Sequence, residues 1–366
     1  MASRAPAATA KLRHVALVFR HGDRAPAVPG ASGSSEAEAE EEAWRGTLPS
    51  AELTEAMDSR FPVRSKATSA PHGMSAQPFE MLTRQGGMQT LQLGRSLRGA
   101  YGPLQPGSIE VMASNFRRTQ QSAQYFLAGL LAPEAATGTC LSAEGLEATA
   151  STDVTTLVME ECKVDSFSRN AAEIVERLKG IEERLDFAGR EVGDLAETRG
   201  MLERLPLFSA PAGAMHGKFS WLHGYDVLTC YAAHPELPPP SSVAAIAAHG
   251  PAAASHVLWR FSQYYEDPQI LRLTAGDLLL HMSEQMERCR AALGIWDGAW
   301  PGYAAEVRLE LWQLPEDSQD PIEANFGLHR AREALPPGVG WPLGLPGTTF
   351  GEHLRAASLI HLEVHG

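Results

Sequence analysis

Val15 to Phe19 reads VALVF, an unbroken apolar run of strand length that gives way at once to polar residues and glycine. That is the pattern of a strand buried on both faces of a sheet, and chemistry in such folds gathers beyond the carboxyl ends of the strands. Gly86 to Arg98 predicts a helix, and Ser108 to Ala113 (SIEVMA) predicts a second strand. A further helix is expected over Thr119 to Leu131, with Ala123, Phe126, Leu127, Leu130 and Leu131 on one apolar face. The stretch Ala31 to Ala43 (ASGSSEAEAEEEA) carries five glutamates in low-complexity sequence and reads as a solvated loop or short surface helix.

The middle of the chain is helical in pattern. Ala171 to Leu185 sets Ile174, Leu178, Ile181 and Leu185 at helical spacing, and His256 to Tyr265 and Ile270 to Met286 also read as helices. Pro238, Pro239 and Pro240 mark a turn or linker. Strand character returns at Glu306 to Leu314, with Val307, Leu309 and Leu311 on one face, and again at Leu359 to Val364. Strands at both ends around a helical middle predict an α/β fold: a central mixed, mostly parallel sheet flanked by helices, with an inserted mainly α-helical lobe. The expected boundaries are 12–131 and 291–366 for the core and 132–290 for the lobe. There is no internal repeat.

Composition narrows the function. At 366 residues the chain suits one large domain with an insertion, or two modest ones. Its 44% hydrophobic and 20% charged residues are those of a globular protein, and no apolar run reaches the roughly 20 residues of a membrane helix. The net charge of −13 opposes nucleic-acid binding, yet a few clustered arginines can still hold a small anion. Cys140, Cys162, Cys230 and Cys289 show neither disulfide-scaffold density nor zinc-site spacing and leave the redox compartment open. Met1 to Arg13 has Arg4, Lys11 and Arg13 but no apolar core, so a cleaved secretory signal is not expected and a cytoplasmic or organellar location is favoured.

The chemistry concentrates in Arg20-His21-Gly22-Asp23-Arg24-Ala25-Pro26, directly after the first apolar strand. Two guanidiniums flanking an imidazole can hold the non-bridging oxygens of a phosphoryl group while a ring nitrogen attacks phosphorus. Gly22 removes a side chain where a substrate oxygen would approach, and Pro26 stiffens the exit. The alternative is a surface loop in which Arg and Asp form ion pairs.

This RHGxRxP pattern resembles that of the histidine acid phosphatases, the larger-lobed branch of the histidine phosphatase superfamily. Leu82-Thr83-Arg84-Gln85-Gly86, with Gln89, Leu93-Gly94 and Leu97-Arg98, is similar to the family's LTxxG helix. Ser114-Asn115-Phe116-Arg117-Arg118-Thr119, leading into Ser122-Ala123 and Leu127 to Leu130, is similar to its second-strand segment. By that likeness Arg118 is a third phosphate-binding arginine. Tyr225 to Cys230 with His234 and Leu237-Pro238-Pro239 resembles the family's lobe segment. Ala292 to Asp297, Trp300-Pro301 and Tyr303 to Trp312 resemble lysophosphatidic-acid-phosphatase-like members. The likeness runs from about Arg13 to Trp312.

The resemblance implies a phosphomonoester hydrolase in which His21 becomes phosphorylated and Arg20, Arg24 and Arg118 clamp the phosphoryl oxygens, with Asp23 also at the substrate. It implies a small phosphorylated substrate, among which lysophosphatidic acid stands out, and neither cofactor nor metal; the oligomeric state stays open. Family members also carry a His-Asp or His-Glu pair whose acid protonates the leaving oxygen, whereas none of the 13 histidines here precedes Asp or Glu. Met286 to Arg290 runs straight into Ala292-Leu293-Gly294 where that strand and motif are expected, so the block reads as missing. Its loss would cost about 10²- to 10⁴-fold in rate, least for labile leaving groups such as p-nitrophenolate, and would remove a neighbour of the His21 strand. Asp23 is the nearest substitute acid in sequence, although an ion pair with Arg24 is the competing reading. His223 and His249 read as structural or solvated, and Asp226 as a packing or capping residue. The spacing of His216, His223 and His234 matches no metal pattern. The alternative function is a degenerate or internally truncated phosphate-binding protein on the same scaffold.

Overall fold

The computed structural model describes residues 11–31, 34–64, 78–131, 157–161, 166–205, 219–274, 306–313, 322–329 and 357–363, with single positions 208 and 276. Among the described residues, seven strands form one sheet: β1 (Lys11–Arg20), β2 (Val63–Arg64), β3 (Ile109–Ala113), β4 (Met159–Glu161), β5 (Glu306–Gln313), β6 (Ile322–His329) and β7 (Ala357–Glu363), in the order β2-β4-β3-β7-β1-β5-β6. The architecture is α/β with a mixed sheet. β1, β2, β3, β4 and β6 point one way, while the reversed β5 and β7 flank β1, so both of its ladders are antiparallel.

The slot between β1 and β3 is occupied by β7. It pairs with β1 from His14↔Glu363 to Arg20↔Ala357, and with β3 from Ile109↔Leu362 to Ala113↔Ser358. The backbone groups of the His21 strand are therefore satisfied on both sides.

Helices α1 (Ser34–Arg45), α2 (Ala51–Arg60), α3 (Arg84–Tyr101) and α4 (Arg117–Leu131) belong to the first half of the chain. Val15, Leu17 and Phe19 of β1 pack with Leu91 and Leu97 of α3 and Phe126 and Leu127 of α4 in one apolar core. Phe19 and Phe126 stack with centroids 4.9 Å apart. α3 and α4 touch backbone to backbone: a Cβ on Gly94 would lie 2.1 Å from the Phe126 carbonyl oxygen, and one on Gly129 the same distance from that of Leu91.

A second core is built by α5 (Ser166–Arg184), α6 (Asp194–Leu202), α7 (Trp221–Ala233), α8 (Ser241–Ile246) and α9 (Gly250–Tyr265). Ile174, Ile181, Leu202, Tyr225, Val257 and Phe261 meet there, and Trp44 of α1 joins them, its Nε1 donating to the Tyr231 hydroxyl at 3.1 Å. Two expectations change. The acidic stretch is no mere surface segment, because buried Glu40 accepts from Gly30 N–H at 2.9 Å, Ala31 N–H at 2.8 Å and the Tyr231 hydroxyl at 2.9 Å. Met159–Glu161, inside the span read as helical lobe, is a strand of the sheet. The Met286 to Gly294 junction and Ala292 to Ala305 lie outside the described residues, as does the end of the helix read over Ile270 to Met286.

Candidate active site

β1 delivers Arg20 to its carboxyl end, and the loop that follows is held against the start of α3. A Cβ on Gly22 would sit 2.1 Å from the Gly86 carbonyl oxygen, and a Cβ on Gly86 would sit 2.0 Å from that of Asp23. Only two glycines permit this approach. The loop's amides are then tied down: Gly22 N–H donates to Ser122 Oγ at 3.1 Å, Asp23 N–H to Gln89 Oε1 at 2.8 Å and Ala25 N–H to the Met81 carbonyl at 3.0 Å. Thr83 caps α3 by accepting from Gly86 N–H at 3.1 Å while its own hydroxyl donates to the Asp23 carboxylate.

His21 is fully buried at this point. Its Nδ1 lies 2.7 Å from the Gly22 carbonyl oxygen, which can only accept, so Nδ1 carries the proton and Nε2 of the neutral ring carries the lone pair. Burial holds its pKa well below the ordinary histidine value, and the charges of Arg20, Arg118 and Arg24 push it the same way. Three guanidiniums from two distant parts of the chain thus bear on one imidazole.

Each arginine is fixed differently. Arg118, in the first turn of α4, lies over the Phe116 ring at 4.4 Å, and its Nη1 is 3.5 Å from Glu80 Oε2. Its neighbour Arg117 turns away to hold Asp58 with two bonds, at 2.8 and 2.6 Å. Arg24 is fully buried and forms a bidentate pair with Asp226 at 3.1 and 2.7 Å, and Asp226 also accepts from Ala27 N–H at 2.9 Å. Burial alone would raise the Asp226 carboxyl, but Arg24 and the Ala27 amide hold it below its usual value. Arg20 stays at the end of β1, nearly buried.

Asp23, expected at the substrate, is held by contacts of its own. Its Oδ2 accepts from Thr83 and from His234 Nε2, the latter at 2.6 Å, and the residue has no exposed surface. The second nitrogen of His234 lies 2.7 Å from Glu236 Oε1. Two carboxylates can only accept, so both ring nitrogens donate and His234 is an imidazolium. Of the other histidines weighed, His223 bonds Ser220 Oγ at 2.9 Å and His249 bonds Thr198 Oγ1 at 3.1 Å, while His216 lies outside the described residues.

Sequence reading thus brought Arg20, His21, Arg24 and Arg118 to one place and missed what supports them. Asp226 is the counter-ion of Arg24 rather than a cap, and His234 fixes Asp23. Both come from α7 or its C-terminal cap, 202 and 211 residues beyond their partners; the family-like spelling of Tyr225 to Cys230 with His234 marks the segment but not these pairings. Glu80 carried no sequence signal.

Comparison with known proteins gives three findings. No curated protein sequence matches the chain. The crystal structure of Klebsiella sp. ASR1 phytase aligns over 100% of this chain and 90% of that one, at 16% identity and a TM-score of 0.43. Residues 11–186 match the sequence model of the histidine phosphatase superfamily, branch 2. That stretch, which carries the whole Arg20 to Pro26 loop and Arg118, is similar to the histidine phosphatase superfamily (branch 2).

Proposed function

We propose that the protein is a phosphoric monoester hydrolase that works through a phosphohistidine at His21. The observation that carries this reading is the neutral imidazole with its Nδ1 proton fixed by the Gly22 carbonyl and three arginine charges bearing on it. A tautomer locked in this way presents Nε2 as the nucleophile. The low pKa keeps that lone pair available under acidic conditions, where an ordinary histidine would be protonated. Arg20, Arg24 and Arg118 supply the positive field in which a phosphoryl dianion binds and in which charge moves toward the leaving oxygen. Asp23 is a positioning residue, holding the loop through Thr83 and His234.

Small phosphomonoesters are the proposed substrates, lysophosphatidic acid among them. The support for lysophosphatidic acid is the resemblance of Ala292 to Asp297, Trp300-Pro301 and Tyr303 to Trp312 to lysophosphatidic-acid-phosphatase-like members. A higher kcat/KM for lysophosphatidic acid than for glycerol 3-phosphate is the expected result for this arm.

The test of the reaction is an acid-quenched exposure to p-nitrophenyl phosphate labelled at phosphorus. Base-stable, acid-labile label on the protein that is absent in His21→Ala supports the phosphohistidine. Tight phosphate binding with neither label nor p-nitrophenol would leave the binding-only alternative, which the absence of any His-Asp or His-Glu pair favours.

A further inference from the structure

We propose that Glu80 is the proton donor to the leaving-group oxygen, an assignment that rests on the phosphohistidine reading above. Among the described residues, three carboxylates border the His21 loop. Asp23 is fully buried between Thr83 and the His234 imidazolium, and Asp226 is buried in its bidentate pair with Arg24. Both hold the loop through these bonds, Asp226 with both oxygens and Asp23 with Oδ2 alone, its buried Oδ1 having no hydrogen-bond partner among the described residues. Glu80 differs: its Oε2 is 3.5 Å from Arg118 Nη1, and 28% of its side chain is exposed. It therefore reaches both the proposed phosphate clamp and solvent.

Its backbone is also unusual. Glu80 has φ +63°, the left-handed region in which a side chain costs about 1 kcal/mol or more. The conformation is held by the loop beyond His21, through Glu80 N–H to the Pro26 carbonyl at 3.0 Å and Ala25 N–H to the Met81 carbonyl at 3.0 Å. Glycine would adopt it without strain, so the glutamate is explained by its carboxyl rather than its backbone.

The carboxylate pairs with Arg118. A bound phosphoryl dianion takes over that guanidinium, and the Glu80 carboxyl, carrying a proton taken from solvent, enters the step as the donor. As His21 Nε2 forms its bond to phosphorus, the bond from phosphorus to the leaving oxygen breaks, the electron pair stays on oxygen, and the Glu80 proton neutralises it. In the second step water attacks the phosphohistidine, its proton passes to the Glu80 carboxylate, and the phosphorus–nitrogen bond breaks with its electrons returning to Nε2. The enzyme ends as it began.

The test compares wild type, Glu80→Gln and Glu80→Gly on ethyl phosphate and on p-nitrophenyl phosphate. Gln keeps the backbone strain and Gly relieves it, so a defect common to both comes from the missing carboxyl. The expected result is a loss in kcat of about 10²- to 10⁴-fold on ethyl phosphate and of less than about tenfold on p-nitrophenyl phosphate, with His21 still labelled by the aryl ester. Equal losses on both esters, no loss on either, or a wild type that labels His21 but leaves ethyl phosphate intact would overturn the assignment to Glu80 alone. A wild type that never acquires label removes the phosphohistidine, and this proposal with it.

Discussion

The His234–Asp23 contact makes a single proton consequential. Burial by itself would lower the His234 pKa, but the hydrogen bond and charge of Asp23, and then of Glu236, carry it up to about 8 against an ordinary value of 6.5. A histidine whose folded pKa is raised stabilises the native state fully below about pH 6.5, and that contribution fades as pH rises through 8. Its size is about 2 kcal/mol. Urea unfolding of the wild type is expected to show this loss between pH 6 and pH 9, whereas His234→Gln starts lower and stays flat across the interval; an unchanged slope in the variant would contradict the assignment. Asp226 yields a second expectation of the same kind. Asp226→Asn leaves the Arg24 guanidinium buried against a neutral amide, which should cost about 3–5 kcal/mol by chemical denaturation. The RHGDRAP loop was legible in the sequence because its chemistry is contiguous. Its counter-ions were not, since Asp226 and His234 reach it only through the packing of α7, and Asp23 looked like a partner for Arg24 until His234 claimed it.

Two helices, α3 and α4, bring the remaining pieces to the loop, and glycines set how near they come. The 3.6-residue pattern announced both, and their starts fell within about two residues of the expected positions because Thr83 is a strong cap and the apolar face of α4 is continuous. What the pattern did not reveal is that Gly22 and Gly86 form one contact, a distance that depends on tertiary packing. Substitution separates the two kinds of glycine within one helix. Gly86→Ala places a methyl 2.0 Å from the Asp23 carbonyl oxygen and 2.6 Å from its amide nitrogen, neither of which can swing aside. The loop and the helix must part, with an expected destabilisation of about 3 kcal/mol or more and loss of phosphate binding. Gly99→Ala, in the same α3, meets nothing within 4 Å and is expected to raise stability by up to about 1 kcal/mol through helix propensity. Thermal unfolding together with phosphate titration of the two variants checks both signs.

At the scale of the molecule, the sheet and the helical lobe converge on the loop from opposite sides. β1 and α3 present it, and α7 grips it twice, through Asp226 on Arg24 and His234 on Asp23. The sequence exposed a problem here without its solution: the unbroken β1 run demanded partners on both sides, and the expected neighbouring strand could not be found. A short apolar stretch such as Leu359 to Val364 carries no information about which slot it enters or in which direction, since apolar pattern fixes faces and not partners. In the structure β7 lies between β1 and β3, antiparallel to both, and so joins the strand that carries His21 to the strand that leads to Arg118. The relative placement of nucleophile and third arginine therefore depends on the last strand of the sheet. Removing residues 357–366 would strip β1 and β3 of their shared partner, leaving two apolar strand edges unpaired in the middle of the sheet. The expected outcome is a chain that loses its cooperative thermal transition and associates on size-exclusion chromatography. Adding back a peptide of the same ten residues should restore p-nitrophenyl phosphate turnover only if β7 sets the site. A truncated chain that stays monomeric, melts cooperatively and keeps its kcat would show instead that β1 and β3 are held in register without it.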